Sequence, residues 1–161
     1  MKWFFSILFF LIFLNIPDVY EIRKIYPKSS NSENYAKELF SKLSVVTNES
    51  NKTLVAYKGA SIAIMSKFAK KISEKMSNFK EGAKLIEFAV VCEPNNVEIR
   101  LIRLSIQENA PKIVGYNKNK KDDTAFLLNH YKEQSNSLKE YTKSFILQSK
   151  SFTEQEKQTL K

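Results

Sequence analysis

Cysteine, histidine, glycine and proline are all scarce in this 161-residue chain, which has one Cys, one His, three Gly and four Pro. A single cysteine, Cys92, excludes an intramolecular disulfide and any site built from cysteine pairs. It lies on the apolar side of a helical stretch, where a free thiol behaves as a small hydrophobe. A Cys–His nucleophile would have to recruit His130, the sole histidine, and the sequence marks no low-pKa setting for it. With so little Gly and Pro, tight β turns lack their usual residues, and no alternating strand pattern exceeds four residues. Missing too are H-E-x-x-H, a Gly-rich phosphate loop and a Ser-His-Asp set above chance. The expectation is no cofactor, no metal, no catalytic residue and no enzyme. A carboxylate pair drawn from Glu81, Glu87 and Glu98 is the remaining enzyme reading, and glutamates are common helix formers.

Lysine is what the chain has in excess. Lys and Arg total 26 against 17 Asp and Glu, a net charge of +9, which favours nucleic acid or anionic membrane surfaces. The lysines fall on nearly every segment, mixed with glutamate, as an AT-rich codon bias would also give. Weak, non-specific polyanion binding is expected, without specific nucleic-acid recognition. The basic links at 67–75 and 118–121 carry the alternative reading, a polyanion- or membrane-surface binder. Arginine is different: only Arg23, Arg100 and Arg103 occur, and two of the three lie three residues apart.

The opening "MKWFFSILFFLIFLNIP" has one lysine, an apolar run from Trp3 to Leu14, then a polar break, the order of a secretory signal. As a helix the run would span about 18 Å, short of a hydrocarbon core of about 30 Å. From Asn15 to Lys28 there is no Ala, Gly or Ser, so a small-residue cleavage site is missing. Residues 1–17 are expected to be a signal peptide or an uncut N-terminal membrane tether, with membrane contact confined to 1–16.

The rest predicts an all-α chain of about seven short antiparallel helices with no sheet. "DVYEIRKIYP" reads as a helix stopped by Pro27. Ser32 caps a helix reaching Val46, with Tyr35, Leu39 and Leu43 on one face. The sequons at Asn48 and Asn51 sit in a polar link. Residues 53–68 carry only Lys58 as a charge between Leu54 and Ser66, so this helix is expected to be buried nearly all round. Its stripe Ala56, Gly59, Ala60, Ala63 invites another helix backbone to approach closely. A basic link at 69–78 precedes a helix from Phe79 to Cys92. Pro94 ends that helix, and the next runs from Val97 to Glu108, stopped by "NAP". Asp122 or Asp123 then caps a helix, Ser135 or Ser137 begins another, and Thr153–Glu156 forms a capping box for a last short one.

Phe79, Gly82, Ala89 and Pro94 have the spacing of a tetratricopeptide repeat's second helix, and this stretch resembles one such unit. The long link at 69–78 departs from that pattern. More widely, Tyr57–Ala60, Asn96–Arg103 and Asn109–Tyr116, including Pro111, resemble a family of small exported bacterial helical proteins related to these repeats. The resemblance implies a repeat-like domain over 18–150, with 151–161 a short helix or tail. It also implies export to the periplasm or envelope of a Gram-negative bacterium, and a protein or peptide partner held in a groove between helices.

On a helical wheel, Arg100, Arg103 and Gln107 share an arc of about 60° on an otherwise apolar helix. Arginine offers a planar fork for a carboxylate and stays charged when partly buried, so lysine would be the choice for a merely solvated seam. Three readings stay open. The pair forms internal ion pairs with Glu81, Glu87 or Glu98, or the seam lines a groove and binds a partner's carboxylate or another anion, or it is a plain solvent face.

Overall fold

Gly59 and Gly82 meet where two helices cross. A Cβ on Gly82 would sit 2.3 Å from the Gly59 carbonyl oxygen, and one on Gly59 would sit 2.5 Å from that of Gly82. Only a residue with no side chain lets two backbones come this close. The helices are α3 (Lys52–Met65) and α4 (Ile72–Cys92). Ala56, Ala60 and Ala63 of the predicted stripe are buried on the same element. Gly82→Ala is expected to lower the free energy of unfolding by about 2 kcal/mol, because overpacking outweighs the gain in helix propensity. Urea melts check this, and an unchanged stability would show that the two helices separate without cost.

The computed structural model describes residues 16–160. Among these are eight α-helices and no strand. Besides α3 and α4 they are α1 (Val19–Ser29), α2 (Glu33–Lys42), α5 (Val97–Asn109), α6 (Lys120–His130), α7 (Asn136–Gln148) and α8 (Glu154–Gln158). Single 3-10 turns follow α3, α5 and α6. The expected signal or tether at 1–17 lies almost wholly outside the described residues, within which no helix is long and apolar enough to cross a membrane.

Several helix starts follow directly from side chains. Ser32, Asn51 and Asn96 each accept a backbone N–H of the first turn, and Thr153 with Glu156 closes a full capping box. Other expectations fail. α1 runs through Pro27 to Ser29, because only the Arg23 carbonyl loses its partner and the last turn tolerates that. α2 ends at Lys42, with Ala36 and Leu39 buried and Tyr35 exposed. The basic stretch at 69–78 is mostly helix, since α4 begins at Ile72 and the connection from α3 is short. Cys92 is exposed, because it falls on the outer face of α4 with Lys84, Phe88 and Val91, while Ala89 and Val90 of the same turn are buried. Neither Asp122 nor Asp123 caps α6, which starts at Lys120.

α5 is the axis of the molecule. Its Ile99, Ile102 and Ile106 belong to a core formed with α1 to α4. Its Val97, Leu101 and Leu104 belong to a second core with Leu127, Tyr131, Ile146, Phe152 and Leu160. Phe152 and Leu160 are both buried, so residues 151–160 pack as part of that second core.

Candidate functional site

A helix buried against two cores must place its polar residues along the boundaries between them, and α5 carries two such seams. At 100° per residue, Glu98 and Ser105 point roughly opposite to Arg100, Arg103 and Gln107. The sequence singled out the second set.

That set faces α4 and α6. Arg103 is 3% exposed and forks onto Asp123, with Nε donating to Oδ2 at 2.7 Å and Nη2 to Oδ1 at 2.7 Å. Its Nη1 donates to Glu87 Oε2 at 3.0 Å, and Tyr116 donates to the other Glu87 oxygen at 2.6 Å. Arg100 Nε lies 2.8 Å from Asp123 Oδ1, outside hydrogen-bonding geometry, while its guanidinium sits over the Phe126 ring. Gln107 is buried, and its amide finds no partner among the described residues.

Burial opposes charge on both sides of this pair, and the two groups answer differently. Asp123 is raised by burial more than the guanidiniums of Arg103 and Arg100 lower it. For Arg103, desolvation pulls down and the hydrogen bond and charge of Asp123, with Glu87, more than reverse it. The geometry decides for an ionised pair, since two guanidiniums converge on one carboxylate. Of the expected partners only Glu87 is here; Glu81 is exposed and Glu98 is on the opposite seam. Asp123, expected as a cap, is the main counter-charge.

The opposite seam is Glu98, buried on the first turn of α5. Arg23 forks onto it at 2.9 and 2.7 Å, and Tyr57 donates to it at 2.7 Å. Arg23 also reaches Ser137 at 2.9 Å, tying α1 to α7. The hydrogen bond to Glu98 is the main reason the Arg23 guanidinium is held above its ordinary value. Tyr57 lies edge-on to Tyr26, with ring centres 5.0 Å apart. Tyr26 bonds Ser105 at 2.5 Å, and Ser105 spends its own proton on the Ile102 carbonyl. Burial pushes the phenols of Tyr26, Tyr57 and Tyr141 well above the ordinary tyrosine value.

Beside this seam lies a cavity of about 350 Å³ between α1, α3, α5 and α7. Its walls include Tyr26, Ile64, Phe79, Ile106, Tyr141 and Phe145. Its rim is polar, with Ser30, Asn31, Lys67, Asn109, Gln148 and Lys150. Glu108 is there too, with one oxygen accepting from Ser149 and from the Ser151 backbone N–H. Desolvation lowers the Lys67 ammonium. Arg100, Arg103 and Gln107 do not line this cavity.

The sequence reading missed Arg23, Tyr26, Ser105 and Tyr141 as a group, since they come from three separate helices. One signal was available: Glu98 is a charge on a helix otherwise read as apolar, and a buried carboxylate demands a cation. Among the described residues no three His, Cys, Asp or Glu side chains gather as a metal site. His130 pairs with Glu133 on its own helix end at 3.1 Å. Comparison with protein-family models, curated proteins and solved structures finds no match.

Proposed function

We propose that this chain is a non-catalytic helical interaction module of a bacterial cell envelope, with a peptide segment of a protein partner held in the cavity between α1, α3, α5 and α7. The cavity carries the reading. Its aromatic and aliphatic walls suit apolar side chains, and its rim offers amides and hydroxyls suited to an extended backbone. Its volume admits a few residues and no folded domain.

The tightly crossed α3–α4 pair, joined by a short connection, supports treating Phe79, Gly82, Ala89 and Pro94 as one repeat-like unit. Export rests on the order of charge and apolarity in residues 1–17. Arg100 and Arg103 enter this reading as the clamp that holds α6 to α5, leaving recognition to the other seam.

The test is selection of peptides from a displayed random library against the full chain, followed by the same peptides against Ser144→Trp. Ser144 is exposed and lines the cavity, so a tryptophan there fills the space without entering the core. Binding should fall at least about tenfold, roughly the 1.4 kcal/mol of one good contact, while the urea melt is unchanged. Peptides that bind both forms equally would sink the reading.

A further inference from the structure

The three arginines are all committed inside the molecule: Arg23 to Glu98, and Arg100 and Arg103 to Asp123. The exposed positive charge is lysine, and it is unevenly placed. Ser30, Asn31, Lys67, Asn109 and Lys150 all line the one cavity, so the connections α1–α2, α3–α4 and α7–α8 and the C-terminal end of α5 lie at a single end of the molecule. The Lys67 ammonium contacts the Ser30 carbonyl at 3.5 Å, and the α5–α6 connection leaves from this end before Tyr116 packs on Phe79 and reaches Glu87 further along α4.

Residues 28–33, 66–75, 109–114 and 149–151 at this end hold seven lysines: four in 67–75, and Lys28, Lys112 and Lys150. Their exposed acids are Glu33 and Glu74, and both are already paired with lysines. Three large apolar side chains are exposed in the same connections, Phe68 at 36% and, standing out furthest, Ile72 and Ile113. Ile72 is 79% exposed and Ile113 is 82% exposed. Each directly follows a lysine, Lys71 and Lys112.

We propose that this end of the molecule, with Ile72 and Ile113 set among the lysines of the α3–α4 and α5–α6 connections, docks on an anionic lipid bilayer surface. Isoleucine enters the boundary between headgroups and acyl chains, and the adjacent lysines extend to lipid phosphates. A nucleic acid would call for arginine forks and free aromatic faces. Here the arginines are engaged inside, Phe79 and Tyr116 are packed on each other, and Phe68 is the one exposed aromatic ring among these lysines. The contact adds to any made by residues 1–16: α1 places about 16 Å between its first residue and this end. It is also independent of what the cavity binds.

The native Cys92 serves as a control, because it is exposed at the far end of α4. An environment-sensitive fluorophore is attached to Cys92 in the full chain, and to position 72 of Ile72→Cys made in a Cys92→Ser background. Both are mixed with vesicles of phosphatidylglycerol and of phosphatidylcholine. The probe at 72 should brighten and shift to the blue with phosphatidylglycerol alone, and the probe at 92 should not respond. Replacing Lys70, Lys71 and Lys75 by glutamine, all on the exposed surface, should weaken this binding about tenfold or more, as should raised salt. Equal responses at 72 and 92, a response as large with phosphatidylcholine, or no response at 72 would each overturn the proposal. Tighter binding to polyuridylate than to the vesicles at the same salt would overturn it in favour of nucleic acid.

Discussion

Asp123→Ala is expected to lower the free energy of unfolding by about 3–5 kcal/mol, the cost of leaving a buried charge without its partner. Arg103 would keep only Glu87, whose side chain is 40% exposed and whose attraction is weakened by water. The cost should fall chiefly on Arg103, since Arg100 is less buried and has the Phe126 ring beneath it. A second variant separates charge from packing. Asp123→Leu combined with Arg103→Met removes both charges and keeps the volume, and it should recover most of the loss. Urea melts of the three proteins measure this. A loss below about 1 kcal/mol for Asp123→Ala, the range of an exposed pair, would mean that Arg103 escapes to water and the clamp between α5 and α6 is not structural.

The division of labour between the two cations explains why two arginines stand in one helical turn. A partly buried cation needs several directed donors to offset its lost hydration, and the guanidinium supplies them as a rigid fork. Arg103 uses three of its donors and Arg23 uses three. Lysine, with its compact and strongly hydrated charge, lies mostly outside, on helix faces and in the connections alike. The oddity of composition is therefore a map of burial.

Much of the fold was legible because it rests on local rules. The expected caps Ser32 and Thr153 hold their helices through hydrogen bonds only three residues long, and Asn51 and Asn96, not read as caps, act by the same local rule. The small-residue stripe of α3 was equally readable, since close approach is possible only where side chains are absent. The partner at that crossing was not, and Gly82 came out of a different pattern, the repeat-like spacing. What failed depends on contacts between distant residues. Asp123, with Asp122 just after two lysines near a helix start, reads as a cap; its pairing across 20 residues with Arg103 has no local trace. The Glu98 seam joins positions 75 and 41 residues apart. Residues 69–78 illustrate the opposite error, as their charge suggested a link although nothing in them breaks a helix. α4 tolerates their exposure because its later turns are anchored against α3.

Raising the pH above about 10 is expected to unfold the protein cooperatively, and the buried phenols set the direction. Tyr26 and Tyr57 are 6% and 0% exposed, and burial is the largest cause raising both above their ordinary value. For an acid whose pKa is higher when folded, the stabilisation is present below the unfolded value, near 10 for tyrosine, and is lost as pH rises towards the folded value. Each such group removes about 1.4 kcal/mol per pH unit across that window. Two together remove about 4 kcal/mol by pH of about 11.5, a large fraction of a typical domain's stability. Glu98 beside Tyr57 widens the window, because a phenolate there would face a carboxylate 2.7 Å away. Denaturant melts between about pH 9 and pH 11.5 should show the fall, and phenolate absorbance should rise in step with loss of the helical circular dichroism. Tyr26→Phe should reduce the slope by about 1.4 kcal/mol per pH unit while leaving the Tyr57 contribution in place. Phenolate absorbance that rises fully while the helical signal persists would show that these rings ionise in the folded state, and that the seam beside the cavity is open to water.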